Sequence, residues 1–184
     1  PSAIASLACT CRSSMALRRP APPSFTRNRA GRVMERKPSR SELKKAGFEY
    51  FKIDFLFGSA MPGERLRNVT PMQAYREGLR VIRKAVGKSF ILGCGAPLLP
   101  SAGLVDGMRI GEDTAPYWKT RPSAFQGPNA YFALKNALMR QFLHRRLWLN
   151  DPDCVLLREE KIELTRHERE LYALACGALD NMIM

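Results

Sequence analysis

Residues 47–57 read Gly-Phe-Glu-Tyr-Phe-Lys-Ile-Asp-Phe-Leu-Phe, and this apolar stretch decides the fold class. A short run rich in aromatic and branched residues is typical of a strand covered on both faces, as in a parallel sheet. Lys52 and Asp54 lie two positions apart, so a strand directs both side chains to the same face. Burial of these charges requires a partner or a solvated cleft at the strand end. The stretch alone therefore leaves two interpretations open, a structural ion pair and a functional site.

Downstream of this strand, helical and extended patterns alternate. A helix is predicted over 71–86, because Thr70 supplies an N-cap, a proline follows it, and apolar residues then recur at helical spacing. Residues 89–94 form a second short apolar strand, and a third is predicted over about 104–110. The connection 95–103 is too short and too rich in proline for an ordinary crossover helix. Strand, helix and strand in this order predict a parallel α/β sheet.

The later part of the chain continues the alternation. An amphipathic pattern predicts a helix over about 128–146, and residues 147–149 form a fourth strand that leads into the turn residues 150–153. Residues 165–168 read Thr-Arg-His-Glu, a capping box that begins a last helix. The apolar face of that helix is predicted at Leu171, Leu174, Ala175 and Ala178.

Polar side chains stand at or just beyond the end of each predicted strand. They are Asp54, Cys94, Arg109, Asp113 and the Asn-Asp-Pro-Asp segment 150–153. In parallel α/β folds the carboxyl ends of the strands are where chemistry takes place. A pair of aspartates at that edge is also what glycoside hydrolysis requires, since one carboxylate attacks or activates water and the other donates a proton.

The charge of the chain suggests a different class of partner. The 184 residues have a formal net charge of +13, and such an excess favours nucleic acid or another acidic surface. The excess is concentrated at the start, because residues 1–47 hold 11 basic and 2 acidic side chains, and residues 48–184 hold 19 and 15. The body is therefore only mildly basic, and no nucleic-acid partner is predicted for it. Residues 1–40, rich in Arg, Ser and Pro, are predicted to be a disordered arm. Its composition is typical of a transit peptide and also of out-of-frame translation of GC-rich DNA, and Met15 and Met34 are equally candidates for internal starts.

Cysteine usage and hydropathy argue against three classes of protein: disulfide-stabilised, zinc-binding and membrane-spanning. The five cysteines, at positions 9, 11, 94, 154 and 176, are odd in number and scattered, which argues against a disulfide framework and favours a reducing, cytoplasmic compartment. Their spacing is wrong for a zinc knuckle, and no metal or organic cofactor is predicted. No stretch approaches the roughly 18 apolar residues of a membrane span, so a soluble protein with no membrane partner is predicted.

Four motifs, taken in order, carry a family resemblance. They are K-I-D-F at 52–55, G-C-G-A-P-L-L-P at 93–100, D-G-M-R-I-G-E-D at 106–113 with a tryptophan at 118, and W-L-N-D-P-D-C at 148–154. This order resembles the α-galactosidases of glycoside hydrolase families 36 and 27, over about residues 43–179. The resemblance implies a retaining glycosidase that acts on terminal α-galactosides.

The resemblance also implies a role for each site residue. Asp54 would be the nucleophile and Asp113 the acid/base, with Glu112 as a rival acid. The predicted substrate-binding residues are Lys52, Arg109, Cys94, Trp118, Asp151 and Asp153. Partly buried packing is an equal alternative for Trp118, and Trp148 is predicted to be core. A retaining enzyme holds its two carboxyls roughly 5 Å apart, and Lys52 beside Asp54 would help keep the nucleophile ionised.

The resemblance covers only part of a (β/α)8 barrel, about strands 4 to 7 of eight. Residues 41–184 are therefore predicted to be a partial TIM-barrel catalytic domain that is unstable, oligomeric or inactive on its own. The predicted partner is a carbohydrate. Three alternatives remain: an α-glycosidase of another sugar specificity, a non-catalytic remnant, and a basic nucleic-acid-binding protein whose arm does the binding.

Overall fold

The computed structural model describes residues 4–7, 39–63, 68–119 and 127–183. Within these ranges there are five strands and four α-helices. In chain order they are β1 Ile4–Leu7, α1 Arg40–Lys45, β2 Tyr50–Ile53, α2 Pro71–Val86, β3 Phe90–Gly93, β4 Gly107–Arg109, α3 Ala130–Met139, β5 Leu149–Asp151 and α4 Arg166–Ala178. Single 3-10 turns lie at Leu56–Ala60, Leu99–Ser101 and Gln141–Leu143.

The five strands form one parallel sheet in which chain order and spatial order coincide. Each strand pairs with the next, so the order is β1-β2-β3-β4-β5. Strands that follow one another in this way form the wall of a barrel, whereas a doubly wound sheet reverses its order. The parallel α/β prediction is confirmed, and among the described residues the sheet fits part of a (β/α)8 barrel.

The first strand differs from the sequence prediction. Residues 1–40 were predicted to be disordered, yet the backbone of Ile4–Leu7 pairs in parallel with Tyr50–Ile53. The reason is local, because Ile-Ala-Ser-Leu is a short apolar run and the edge of β2 offers unpaired backbone groups. The rest of the arm up to residue 38 lies outside the described residues.

Helix α2 forms as the sequence predicts. Thr70 accepts a hydrogen bond from the backbone of Gln73, whose side chain bonds back to the Thr70 amide, and Pro71 occupies the first turn. The helix ends where Gly87 takes a positive φ of 62°. Arg83 then ties α2 to the sheet, since it donates to the carbonyls of Leu104 and Ser89 and pairs with Asp106 at 2.5 Å.

Two later helix predictions need correction. Helix α3 ends at Met139, well short of 146, because the chain turns through a 3-10 segment before β5. On α4 the buried side chains are Tyr172 and Cys176, whereas Leu171 and Leu174 are 51% and 72% exposed. The buried pair packs with Ala133 and Leu134 of α3, so contact with α3 decides which face of α4 is covered.

The core lies between one face of the sheet and helices α2 and α3. Phe51 and Ile53 of β2 are buried there with Tyr75 and Leu79 of α2. Burial alternates along β2, so Tyr50 and Lys52 point to the opposite face and are only partly covered. The strand predicted to be covered on both faces is therefore fully buried on one face and only partly covered on the other. The less covered face carries the polar side chains described next.

None of the helices in these described ranges has the length and apolar character that crossing a membrane requires.

Candidate active site

The carboxyl ends of β2 to β5 bring the predicted site residues to one edge of the sheet. Asp54 directly follows β2 and Cys94 directly follows β3. Arg109 is the last residue of β4 and Asp151 the last of β5, and these two are register partners. The convergence arises because parallel strands end at a common edge and alternate residues share a face.

Asp54 is half-buried and its carboxylate is held by the backbone. Its Oδ1 accepts the Phe55 amide at 2.7 Å. Cys94, itself 4% exposed, donates its backbone amide to the carbonyl of Ile53 at 2.8 Å, which aligns the two strand ends. The carboxylate is thus fixed at the strand end while part of it stays accessible.

The Cys94 thiol lies between the charges of two strands. Burial raises the pKa of the Cys94 thiol to about 11, Arg109 opposes this rise, and Asp54, which hydrogen-bonds the thiol, adds to it. Lys52 also lowers this pKa. Because β3 pairs with β2 on one side and with β4 on the other, Cys94 lies between the end of β2, with Lys52 and Asp54, and the end of β4, with Arg109.

Arg109 is the centre of a buried ionic network. It is 5% exposed, and each of its three guanidinium nitrogens meets a different carboxylate. Nε lies 3.1 Å from Asp151, Nη2 lies 2.7 Å from Asp153, and Nη1 lies 2.9 Å from Asp113. Burial by itself lowers the pKa of Arg109, but the negative charges of Asp151 and Asp153 outweigh it and raise the pKa. The guanidinium therefore stays charged and fixes three carboxylates around one plane.

The segment after β5 is folded tightly around this network. Asp153 adopts a positive φ of 79°, and its amide donates to Asp151 Oδ1 at 2.8 Å. Asp153 Oδ2 in turn accepts the Thr114 amide at 2.7 Å, which joins the turn after β5 to the loop after β4. Tyr172 of α4 supports both segments, because its hydroxyl donates to the Pro152 carbonyl at 2.8 Å. The Asn-Asp-Pro-Asp turn is thus held in place by α4.

The two candidate acids differ in their surroundings. Both Glu112 and Asp113 are exposed, but the structure joins Asp113 to the network, with its side chain 71% exposed and paired to Arg109 four residues earlier. The structure therefore places Asp113 with the other site residues.

The two tryptophans also differ. Trp118 is partly buried and meets Tyr131 edge to face, with 5.9 Å between ring centroids, beside the core between α3 and α4. This contact favours the packing alternative over a sugar platform. Trp148 is 4% exposed, as predicted for a core residue, and its indole N–H donates to Asn150 at 3.0 Å.

Sequence reasoning missed three kinds of side chain near the site. Tyr50 lies on the site face, where burial first and Asp151 second raise the pKa of its phenol to about 12. Strand alternation with Lys52 was a signal for it. Tyr172 was hidden because its role depends on where α4 packs. The third is a pair of exposed aromatics, Phe55 and Phe57, which sequence placed inside the strand.

Gly95 permits the close approach of β2 and β3 at Asp54. Its φ is +50°, and a Cβ there would lie 3.0 Å from Asp54 Oδ1 and 3.2 Å from the Phe55 nitrogen. We expect Gly95→Ala to lower the free energy of unfolding by about 2 kcal/mol, through a left-handed backbone and a steric clash together. Gly103→Ala is the matched control, since Gly103 also has positive φ but nothing within 4 Å of its Cβ position. Urea denaturation should show the larger loss for Gly95→Ala, and equal losses would contradict the close approach.

The buried thiols make the fold sensitive to alkali. Burial raises the pKa of Cys94 and of Cys176 from 9.0 to about 11 in the folded chain. The unfolded chain therefore releases these protons first, so stability is full below pH 9.0 and falls as pH rises towards about 11. We expect Cys94→Ala to make this fall shallower. Urea midpoints measured across that pH range test the expectation, and an unchanged slope in Cys94→Ala would refute it.

Within the described residues, no group of three His, Cys, Asp or Glu side chains is arranged to hold a metal ion. The carboxylates of Asp113, Asp151 and Asp153 pair with the Arg109 guanidinium.

No protein family model matches the sequence. Among solved structures, the chain is similar to an α-galactosidase from Thermus thermophilus in complex with stachyose, at 32% identity and a TM-score of 0.62, covering 79% of this chain and 32% of that one. A second structure of the Thermus thermophilus α-galactosidase, in complex with p-nitrophenyl α-D-galactopyranoside, is similar at 33% identity and a TM-score of 0.62. The match covers 79% of this chain and 31% of that one. An α-galactosidase from Saccharomyces cerevisiae is similar in fold, with 13% identity, a TM-score of 0.60, and coverage of 79% of this chain and 35% of that one.

The chain spans about a third of the length of the Thermus α-galactosidase. Similarity at this level to both bacterial and fungal structures agrees with the sequential parallel sheet. The chain has an α-galactosidase-like fold.

Proposed function

We propose that this chain is part of a retaining glycoside hydrolase that cleaves terminal α-galactosidic bonds. The observation that carries the proposal is that Asp54 and the ion pair of Arg109 with Asp113 stand at the strand ends of an α-galactosidase-like fold. Asp54 is the nucleophile and Asp113 the acid/base. The Thermus structures contain stachyose and p-nitrophenyl α-D-galactopyranoside, which supports an α-galactoside as the substrate class.

The first step forms a covalent intermediate. A carboxylate oxygen of Asp54 attacks the anomeric carbon, the bond to the leaving oxygen breaks, and that oxygen takes the proton of Asp113. The second step hydrolyses this intermediate. Asp113 removes a proton from water while the water oxygen attacks the anomeric carbon, and the bond from that carbon to Asp54 breaks. The half-buried position of Asp54 and the exposed position of Asp113 suit these roles, since the acid must exchange protons with water.

The remaining side chains bind and orient the sugar. Lys52 lies on the less covered face of β2 and donates to sugar hydroxyls. Arg109 lies at the same edge of the sheet and holds the neighbouring carboxylates in place. Its pairing with the buried Asp151 and Asp153 offsets its positive charge.

Covalent trapping tests the proposal directly. The 184-residue chain is incubated with a 2-deoxy-2-fluoro-α-galactosyl substrate carrying a good leaving group, then digested and analysed by mass spectrometry. Against the sequence expectation of a fragment that is inactive on its own, the proposal requires the added fluorosugar on the peptide that contains Asp54, together with release of p-nitrophenol from p-nitrophenyl α-galactoside. The corresponding α-glucosyl reagent distinguishes a related glycosidase of other specificity. Label on a different carboxylate, or no label with either sugar, would reject the assignment.

A further inference from the structure

The outer edge of β5, the edge that faces away from β4, is bonded by a histidine side chain. The Leu149 amide and the Asp151 carbonyl bond towards β4, so the backbone groups of Asn150 lie on the outer side. The Asn150 amide donates to His144 Nδ1 at 3.0 Å, and the Asn150 carbonyl accepts the Met182 amide at 2.9 Å. His144 therefore supplies the acceptor that the carbonyl of a neighbouring strand would otherwise supply.

The side chain of Asn150 is held as firmly as its backbone. Asn150 is fully buried, its Oδ1 accepts the Trp148 indole N–H at 3.0 Å, and its Nδ2 donates to the Arg140 carbonyl at 3.1 Å. Both backbone groups and both polar side-chain atoms of this residue are therefore bonded. Because water does not reach it, displacement of Asn150 breaks bonds that nothing replaces, and the residue is fixed in one position.

The imidazole of His144 is oriented from both of its nitrogens. The side chain is 4% exposed, and because Nδ1 accepts a hydrogen bond, the neutral ring carries its proton on Nε2. Nε2 lies 3.8 Å from the carboxylate of Asp180, which also pairs with Arg145. The ring thus lies between the turn after α4 and the outer edge of β5, with its acceptor nitrogen directed at the strand.

The residue that follows Asn150 belongs to the ionic network of the candidate site. Asp151 is fully buried, its carboxylate lies 3.1 Å from Arg109 Nε, and its carbonyl accepts the Ile110 amide at 3.0 Å. Arg109 in turn pairs with Asp113 at 2.9 Å. A displacement of β5 at Asn150 therefore changes the position of Arg109 and of its pair with Asp113.

We propose that His144 is a positioning residue for the candidate site. Through the Asn150 amide it holds β5 where Asp151 orients the Arg109 guanidinium, and with it the acid/base Asp113. The proposal rests on the function proposed above. Loss of the acceptor leaves a buried amide unbonded, so the strand shifts until that amide finds another partner. A shift of about 1 Å in a catalytic group lowers the rate by up to about 100-fold.

Two substitutions separate the acceptor from the rest of the imidazole. His144→Leu removes the acceptor, whereas His144→Asn keeps an oxygen at about the place of Nδ1. NMR spectroscopy of the whole chain follows the Arg109 Nε–H group, which donates to Asp151. We expect His144→Leu to shift this signal and to speed its exchange with solvent by about tenfold. His144→Asn should restore both values.

Turnover of p-nitrophenyl α-galactoside gives a second measurement on the same variants. We expect His144→Leu to lower kcat by about tenfold with KM nearly unchanged, since the displaced groups act in the transition state. His167→Leu is the matched control, because His167 is the other histidine of the chain and its side chain is 94% exposed. It should keep parental values in both measurements. If His144→Leu does not fold, Trp148→Phe removes only the indole bond to Asn150 and should shift the Arg109 signal in the same direction.

The positioning role and the proposed function fail separately. An unchanged Arg109 signal in the folded variant, or a shifted signal with parental kcat, would overturn the positioning role and leave the function standing. A shift that His144→Asn does not restore would also overturn it, since the packing of the ring would then be responsible. A shifted and restored signal in a chain without turnover would leave His144 as the residue that positions Arg109 and would reject the proposed function.

Discussion

Replacement of Arg109 by methionine is expected to unfold this domain or bring it close to unfolding. Methionine fills a similar volume but leaves Asp151, 0% exposed, and Asp153, 7% exposed, without their cation. Removal of one partner from a buried ionic group typically costs about 3–5 kcal/mol, because the remaining charges stay out of water. A single domain has only about 5–15 kcal/mol of stability in total.

Chemical denaturation followed by circular dichroism measures this loss. Arg166→Met is the matched control, because Arg166 forms an exposed ion pair with Glu170 and its loss should leave the unfolding midpoint nearly unchanged. Arg109→Lys should rescue little, since one ammonium cannot serve three carboxylates in the plane of a guanidinium. A midpoint for Arg109→Met within error of the parent would show that the network does not hold the strand ends together.

Replacement of Asp54 by asparagine is expected to abolish turnover with little change in stability. Under the proposed mechanism the amide cannot form the glycosyl ester, and loss of a catalytic nucleophile lowers kcat by about 10⁴-fold or more. The side chain is only half-buried, and an asparagine oxygen still accepts the Phe55 amide, so the fold should be retained.

Release of p-nitrophenol from p-nitrophenyl α-galactoside measures the effect. Asp180→Asn makes the same chemical change at an exposed aspartate in the turn after α4, and it should keep parental turnover. Azide is a small external nucleophile and should partly restore cleavage in an Asp54→Ala variant, where the space of the carboxylate is open. Turnover that survives in Asp54→Asn would place the nucleophile elsewhere, and loss in both variants would point to a general effect on the chain.

Local patterns determined most of the secondary structure. Helix α2 follows from the Thr70 cap, the first-turn proline and Gly87, all of which act within a few residues of one another. The capping box at Thr165 likewise sets the start of α4. The boundaries of β2 were less well predicted, because the apolar composition of 47–57 continues past Ile53 into a segment whose backbone turns away from the sheet.

Features that depend on which element packs against which could not be predicted from sequence patterns. Helical periodicity placed Leu171 and Leu174 inward on α4, whereas packing against α3 buries Tyr172 and Cys176. The arm prediction failed at Ile4–Leu7 for the same reason, since four residues form a strand only where another strand offers its edge. Both differences arise because the outcome depends on the neighbouring element, α3 for the buried face of α4 and β2 for the pairing of β1.

For the candidate site, the sequence by itself determined the residue types and their order along the chain. Spacing in single strands was sufficient to put Lys52 and Asp54 on one face and to place Arg109 at a strand end. The tertiary structure alone decided that Arg109 shares its three nitrogens among Asp113, Asp151 and Asp153. The physical reason is that alternation along a strand is a local property of the backbone, whereas an ionic network depends on which strands become neighbours.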